Sequence, residues 1–296
     1  QGRNFSNKIW NAFRLIKGWE VADVDQPESA KQAIYWFENK ISKTITEIDE
    51  SYSKYRISEA LMGTYRLVWD DFCSWYLEMV KPNYGNPMDS LTYAKTIEQL
   101  EKILKLLHPF MPFLSEEIWH LIDDRKEDII VAEWPKAATV NEQLLADFEN
   151  TSEVVAGIRT IRKEQNIANK DQLELLVIDN QKSETNLDAI IAKLANLTSV
   201  KTTEEKPGGA FSFMVNSNEY FIPLGNNIDI AGEIEKLEKE LNYTQGFLKS
   251  VEGKLSNERF VNNAPESVVA NEKNKMADAK SKIAILATKI KDLGNA

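Results

Sequence analysis

The first helix that the sequence predicts carries a regular stripe of amide and cationic side chains. Asn4, Lys8 and Asn11 recur at a spacing that places them on one helix face, and Leu15 continues the same stripe. Amide and ammonium groups can hydrogen-bond the edges of unpaired nucleic-acid bases and their phosphates, while Leu15 could support such a base or belong to the edge of the core. The simpler alternative is a solvated helix face. Together with two flanking arginines, the candidate binding residues are Arg3, Asn4, Lys8, Asn11, Arg14 and Leu15.

A second group of cations lies near the end of the chain. Residues 272–291 contain six lysines against only Glu272 and Asp278, and these lysines fall between the apolar positions of a predicted helix. A long, stiff helix pair with a cationic flank suits contact with a phosphate backbone. The turn between the two helices adds an arginine and an aromatic residue. The candidate residues of this second surface are Arg259, Phe260, Lys273, Lys275, Lys280 and Lys282.

Residue types that support catalysis or metal binding are scarce. The single cysteine, Cys73, excludes a disulfide framework and a cysteine-based zinc site, and the only histidines are His108 and His120. The carboxylate pairs Asp70-Asp71 and Asp123-Asp124 have no histidine or second pair at a suitable spacing, so we interpret them as surface charge. We therefore predict no catalytic residue and no metal site.

The overall composition is that of a folded, acidic protein. The chain has 296 residues, of which 43% are hydrophobic, and a formal net charge of −10. This hydrophobic content supports two or three domains with cores, while the negative charge argues at first against a nucleic-acid partner. Three local stretches are nevertheless basic, and on composition alone the favoured interpretation is an ordinary solvated surface. These stretches are 3–17, 159–170 and 272–291.

Targeting and membrane signals do not occur in the sequence. No run of about 18 apolar residues is present, and no signal peptide precedes the first helix, so we expect no membrane association. The chain begins with Gln1 rather than Met, which we interpret as the start of an excised fragment. The single cysteine fits a reducing compartment, so we expect a cytoplasmic protein, and we expect a monomer.

The first 135 residues show the periodicity of a helix bundle. Five apolar series with helical spacing follow one another with short connections, which predicts an antiparallel arrangement. The first three series contain five tryptophans, for most of which we predict core packing rather than a stacking surface. These tryptophans are Trp10, Trp19, Trp36, Trp69 and Trp75. The predicted helices are 3–19, 30–55, 57–79, 91–107 and 112–119.

The next segment, residues 136–228, mixes helical and strand-like patterns and predicts a small α+β connector domain. The apolar run at 129–135, just before this segment, also predicts a short strand. Within the segment, the predicted helices are 141–166 and 187–197, and the predicted strands are 172–178, 199–203, 211–215 and 219–224.

The last segment, residues 229–296, carries two apolar seams. In the first seam the spacing alternates between four and three, which is the a/d pattern of a coiled coil, interrupted only by Thr244. Residues 256–264 break the pattern, and Pro265 can open a second helix. Two seams joined by a short turn predict an antiparallel coiled-coil hairpin. The seam positions are Ile230, Ile234, Leu237, Leu241, Thr244, Leu248, Val251 and Leu255, then Val269, Met276, Ala279, Ile283, Leu286, Ile290 and Leu293.

Five strings of the sequence carry a resemblance to a known family. They are GRNFSNKIWNAFRLI (2–16), LHPFMPFLSEEIWHLI (107–122), IRTIRKEQNI (158–167), IPLGNNIDIAGEIEKLEKEL (222–241) and KLSNERFVNNAPESVVANEKNKM (254–276). The first three resemble the anticodon-binding bundle of class I aminoacyl-tRNA synthetases and the basic helix after it. The last two resemble the C-terminal coiled-coil arm of valyl-tRNA synthetases. They are the most specific, because isoleucine enzymes tend to end in a cysteine-rich zinc module.

The resemblance implies tRNA binding without catalysis. In the family, the bundle reads the anticodon of tRNA(Val) and the arm rests on the tRNA elbow, so the two candidate surfaces would take these roles. The family's HIGH-like and KMSKS-like ATP-site motifs do not occur here, since His108 is followed by Pro-Phe-Met. Ligation with ATP and Mg would then belong to the parent protein's own N-terminal catalytic domain, a second partner of this region. No cofactor is expected in this chain.

Two alternatives stay open at this stage. A fragment of isoleucyl- or leucyl-tRNA synthetase would share the bundle, although the coiled coil favours the valine family. A non-enzymatic scaffold protein, whose coiled coil pairs with another protein, would fit the acidic net charge and would show no salt-dependent RNA affinity. The predicted fold is mainly α, with an antiparallel helix bundle over 1–135, an α+β connector over 136–228 and a coiled-coil hairpin over 229–296.

Overall fold

The fold is taken from a computed structural model. The described residues are 2–180, 186–223, 230–256, 269, 271–277, 279, 280, 283, 286, 287 and 290. They fall into two compact units, Gln1–Thr202 with Met214–Tyr220, and Thr203–Phe213 with Phe221–Ala296. The predicted domain boundaries at 135 and 228 stay predictions. Across the described residues, no helix combines the length and the apolar character that crossing a bilayer requires.

The first unit is mainly helical, as the sequence predicts. All five predicted bundle helices form, and the third of them continues through a π-helix of 10 residues. The bounds are α1 Gly2–Lys17, α2 Glu28–Ser53, α3 Ile57–Arg66, the π-helix Leu67–Tyr76, α4 Leu77–Val80, α5 Ser90–Leu107, α6 Pro112–Ile122, a 3-10 helix Ile129–Val131, α7 Glu142–Glu164 and α8 Asp188–Ala195.

The core of the bundle gathers the apolar stripes of these helices. On α1 the whole predicted apolar stripe is buried, so the polar stripe on the opposite side must face outward. The five bundle tryptophans follow the predicted packing role, because they are either buried or half-buried against the core, and Trp119 packs in the same way. The residues packed in this way are Phe5, Ile9, Ala12, Phe13 and Ile16 on α1, and Trp10, Trp19, Trp36, Trp69, Trp75 and Trp119.

Two short strands tie together the connections at the C-terminal end of α1. Strand β1, Val21–Ala22, follows α1 and pairs in parallel with β2, Met88–Asp89, which precedes α5. The N–H of Met88 donates to the carbonyl of Glu20 at 2.7 Å. The ammonium of Lys17 donates to a backbone carbonyl at the end of α6 at 3.3 Å. These contacts, called the clasp below, hold the C-terminal end of α1 on two neighbouring elements.

The turn between α2 and α3 places a tyrosine in a strained backbone position. The N–H of Arg56 donates to the carbonyl of Ser51 at 2.8 Å, and the N–H of Tyr55 donates to the carbonyl of Tyr52 at 3.0 Å. This pair of bonds forms a Schellman motif, in which the left-handed position is usually a glycine. Here Tyr55 takes that position with a φ of 57°, and its side chain is 90% exposed.

The α+β segment forms the four predicted strands. Strands β3, Leu173–Ile178, and β4, Leu197–Thr202, are parallel and are joined through α8, with a register shift next to Leu173. With β5, Ala210–Val215, and β6, Asn218–Pro223, they form a sheet of order β4-β3-β6-β5. A parallel pair joined by a helix is the arrangement that a strand, helix, strand sequence pattern favours.

The predicted strand at 129–135 is wrong. Residues Ile129–Val131 form a 3-10 helix, in which Ile129 is buried while Ile130 and Val131 are exposed. The N–H of Ile129 donates to the carboxylate of Glu116 at 3.0 Å instead of to another strand. An apolar run becomes a strand only where a sheet edge accepts its hydrogen bonds, and the described residues offer no such edge here.

The second unit contains helix α9, Ile230–Leu255, and the described residues of a later helical segment. The described seam positions are buried or half-buried, and the residues off the predicted seam are exposed, with Glu272 as the exception. The fully buried seam positions are Thr244, Val251, Val269, Ala279 and Leu286. The side chains of Ile230, Ile234, Leu237 and Leu293 lie outside the described part.

Candidate nucleic-acid interface

The polar stripe of α1 lies on the outer surface of the bundle. Arg3, Asn4, Asn11 and Arg14 are exposed. Leu15 is 44% exposed, so it belongs to this surface and not to the edge of the core. The burial of the opposite side of α1 orients the stripe, because a helix that buries one face must present the other face to solvent.

Lys8 is held on this surface by aromatic side chains of the third helix. Its ammonium lies 4.6 Å from the centre of the Trp69 ring. The Trp69 ring stacks on Tyr65 at 5.7 Å, and Tyr65 stacks on Phe5 of α1 at 4.8 Å. A cation over an aromatic face gains about 0.5–1 kcal/mol at an exposed site, which restricts the conformations of the side chain. The Trp69 ring therefore favours one place for the positive charge of Lys8 on the stripe.

Cys73 lies close to Lys8 but is not a reactive thiol. Burial raises the pKa of Cys73 to about 11, and the positive charge of Lys8 opposes this only in part. Because the thiolate is the nucleophilic and metal-binding form, a thiol that stays protonated at neutral pH is inert. The contribution of Cys73 is therefore packing beneath the surface that Lys8 occupies.

The carboxylate pair on the π-helix divides into one exposed group and one half-buried group. Asp70 is exposed, but the interpretation of Asp71 as surface charge is wrong. Burial raises the pKa of Asp71 to about 6, and the ammonium of Lys40 at 3.5 Å lowers it only in part. The cause is tertiary packing, since the neighbouring helix α2 supplies Lys40 and nothing in the local sequence indicates this contact.

Three side chains near the end of α6 have the composition of a metal site. The Nε2 atom of His120 lies 3.0 Å from Oε1 of Glu116 and 3.3 Å from Oδ1 of Asp128, and this is the one such group among the described residues. Glu116 also accepts the N–H of Ile129. Polar contacts of one imidazole nitrogen with two carboxylates account for this group, so it gives no reason to propose a metal.

The basic stretch at 159–170 contains a structural arginine. Arg162 is only 4% exposed and donates to the carbonyls of Ala168 and Ala195 at 2.9 Å and of Asn196 at 3.2 Å. It thereby satisfies carbonyl groups at the end of α8, which a helix leaves without partners. Arg162 cannot contact a ligand, and the exposed cations of the stretch are Arg159, Lys163 and Lys170.

The lysines of the second unit differ in their contacts, although all of those described are exposed. Lys275 pairs with Glu272 at 2.8 Å, and Lys280 pairs with Glu252 of α9 at 3.1 Å. Lys273 makes no ion pair among the described residues, so its ammonium is available to a ligand. The remaining candidates, Arg259, Phe260 and Lys282, lie outside the described residues.

Glu272 is a seam residue that the sequence analysis missed. Its side chain is only 7% exposed, and it pairs with Lys254 across the two helices at 3.6 Å as well as with Lys275. The hydrogen bond from Lys275 holds the pKa of Glu272 below its ordinary value. The spacing of residues 269, 272, 276 and 279 indicates this seam position, because it keeps the alternation of three and four although residue 272 is charged.

Two family models match the chain and define it as a tRNA-binding region of a tRNA ligase. Residues 35–177 match the anticodon-binding domain of tRNA ligases, and residues 229–294 match the valyl-tRNA synthetase tRNA binding arm. Similar relatives are the valine--tRNA ligases of Christiangramia forsetii, 53% identical over 296 residues, and of Brucella suis biovar 1, 33% identical over 307 residues. The chain belongs to the valine--tRNA ligase family.

The matches cover nearly all of this chain but a small part of its relatives. The alignments take in 99% of the chain for the Christiangramia forsetii protein and 98% for the Brucella suis protein, and 34% of each relative. The chain therefore spans about a third of the length of the curated relatives it matches. The region it covers is the anticodon-binding domain and the arm, not the catalytic domain. The arm match favours valine over the isoleucine and leucine alternatives.

Proposed function

We propose that the chain binds tRNA(Val) at two separate surfaces, with the polar stripe of α1 on the anticodon loop and the second unit on the elbow. The observation that carries the proposal is Lys8, whose ammonium lies 4.6 Å from the centre of the Trp69 ring on an exposed face of arginine and asparagine side chains. Trp69 lies within the matched anticodon-binding region, which supports a role of this face in binding the anticodon.

The side chains of the stripe suit unpaired bases. An amide group carries both donors and an acceptor, so Asn4 and Asn11 can match the hydrogen-bonding edge of a base. Arg3 and Arg14 suit phosphates, which position an RNA without reading its sequence. Leu15 offers an apolar surface against the face of a base. The stripe thus combines contacts that discriminate between bases with contacts that anchor the backbone.

The second unit is proposed to be an antiparallel coiled-coil hairpin. The ion pairs between its helices support this, because Glu252 pairs with Lys280 while the later Lys254 pairs with the earlier Glu272. Helix α9 has 26 residues. It is therefore about 39 Å long at ~1.5 Å per residue, a length that suits an RNA contact remote from the anticodon.

The whole protein is proposed to ligate valine to tRNA(Val) with ATP and Mg, as a monomer in the cytoplasm. The names of the relatives support this activity, and the matched region leaves most of their length for a catalytic domain. Two anchors on one RNA raise the effective concentration of each for the other. Together they would orient the acceptor end of the tRNA towards that domain.

A substitution at Lys8 tests the anticodon contact. Lys8→Ala is expected to weaken the binding of tRNA(Val) by about 1–3 kcal/mol, the range for one well-placed base contact. Filter binding measures the affinity, and circular dichroism checks that the bundle keeps its helicity. The matched control is Lys31→Ala, since Lys31 is an exposed lysine of the same bundle that pairs with Glu28 at 3.1 Å on α2. The control is expected to bind like the unchanged chain.

A second RNA separates base recognition from phosphate binding. With a tRNA(Val) whose anticodon bases are replaced, Lys8→Ala should reduce the binding affinity less, because this RNA no longer offers the base that Lys8 contacts. An equal loss with both RNAs would assign Lys8 to a phosphate. If neither RNA binds more weakly while helicity is retained, the stripe is a solvated surface and the proposal is wrong.

A further inference from the structure

We propose that Tyr55 stacks on an unpaired base of the tRNA anticodon loop. This inference rests on the proposed function, and it extends the binding surface from α1 to the turn between α2 and α3. Aromatic rings are common stacking partners of unpaired bases, and they accept any base because every base has a flat face.

A tyrosine at this position costs conformational energy in the folded state, and no packing contact in the described part of the chain compensates for it. A side chain in the left-handed region is strained for every residue except glycine, and asparagine tolerates it better than a bulky residue does. Among the described residues, the other non-glycine residues with positive φ are asparagines, at 166, 196 and 216. The Tyr55 ring is 90% exposed, so packing does not offset the strain. A residue that adds backbone strain without stabilising the fold is typical of binding sites.

The turn lies at the same end of the bundle as the start of α1. Phe5 contacts Tyr65 and Lys8 contacts Trp69, so α1 and the third helix run in the same direction. From Tyr65 back to its first residue, Ile57, α3 rises ~12 Å. The turn that carries Tyr55 comes directly before Ile57, so it lies at the end of the bundle towards which Asn4 and Arg3 extend from Phe5.

The charges around Tyr55 leave cations available to an RNA. Lys54 pairs with Glu50, and Arg56 pairs with Glu59 at 3.4 Å, all on the surface. Exposed pairs of this kind are weak, so the two cations can turn towards phosphates at little cost. The neighbouring carboxylates make the turn neutral overall, which is why the ring, and not the charge, is assigned the main contact.

Three variants test the assignment. Tyr55→Gly relieves the strain and removes the ring, so we expect its melting temperature to rise by about 2–4 °C and its affinity for tRNA(Val) to fall about 5- to 140-fold. Tyr55→Phe keeps the ring and is expected to match the unchanged chain in both measurements. Tyr84→Gly removes another exposed tyrosine, beyond the far end of α4, and is expected to leave the affinity unchanged.

A fluorescent base makes the stacking visible. A tRNA(Val) transcript with 2-aminopurine in the anticodon loop should lose fluorescence on binding the unchanged chain or Tyr55→Phe, and should keep it with Tyr55→Gly. If Tyr55→Gly binds normally and quenches normally while Lys8→Ala binds weakly, the inference is wrong and the proposed function stands. If neither variant weakens binding, the proposed function fails together with the inference.

Discussion

Asp71 is expected to destabilise the bundle at neutral pH, so that Asp71→Asn stabilises it. Burial raises the pKa of this carboxyl from 3.8 to about 6 in the folded chain, while the unfolded chain keeps the ordinary value. At ~1.36 kcal/mol per pKa unit, ionisation of Asp71 costs about 3 kcal/mol of folding free energy. The attraction of Lys40 is already contained in that pKa. Asparagine resembles the protonated carboxyl, so the gain at pH 7 approaches about 3 kcal/mol.

The pH dependence follows from the direction of the shift. Between pH 3.8 and about 6 the folded chain binds the proton of Asp71 more tightly than the unfolded chain does, so this group's contribution to stability falls as the pH rises. The difference in unfolding free energy between Asp71→Asn and the unchanged chain should therefore be near zero at pH 3.5 and should be complete at pH 7.

Urea unfolding followed by circular dichroism at several pH values measures this difference. The matched control is Asp70→Asn, which alters an exposed carboxylate on the same helix and should show only a small change. A variant that is less stable than the unchanged chain at pH 7 would refute the reasoning, because the pair with Lys40 would then outweigh the cost of burial. A gain that does not vary with pH would refute it as well.

Two further predictions concern buried charges and their partners. Arg162→Leu is expected to lower the unfolding free energy of the first unit by about 2–3 kcal/mol in urea titrations, because buried carbonyls lose their donor, while Arg159→Leu on the surface should change it little. In the second unit, Lys275→Gln is expected to lower the melting temperature because Glu272 loses its hydrogen bond, and Lys273→Gln should leave it unchanged. Lys273→Gln should instead reduce the slope of log tRNA affinity against log salt by about 1, and an unchanged slope would show that Lys273 does not contact a phosphate.

Helical periodicity made the bundle and the polar stripe predictable. On α1 the apolar residues recur with the period of a helix. The periodicity that predicts Phe5 and Ile9 in the core therefore also predicts Asn4 and Lys8 at the surface. The two seams of the second unit were predictable for the same reason. The π-helix was not, because its wider turns depend on how the aromatic side chains of the third helix pack against α1 and α2.

The missed features all depend on contacts between distant parts of the chain. Asp71 is half-buried beside Lys40 of α2, and Arg162 is buried where it donates to a carbonyl at the end of α8. The position of Glu272 fits the spacing of the seam, but a charged residue is unusual at a seam position, so the sequence analysis did not include it. Tyr55 has no sequence signal at all, since the left-handed position after a helix is usually recognised by a glycine.

The clasp at the C-terminal end of α1 protects that end of the helix from local opening. Lys17 and Glu20 are hydrogen-bonded to neighbouring elements, whereas the first amide groups of α1 have no partner within the helix. Hydrogen exchange should therefore be slow at the amide groups of α1 nearest the clasp, towards Ile16, because opening of that end must first break these hydrogen bonds. The opposite end carries Arg3 and Asn4, so a ligand held there would slow the exchange of the first turn as well.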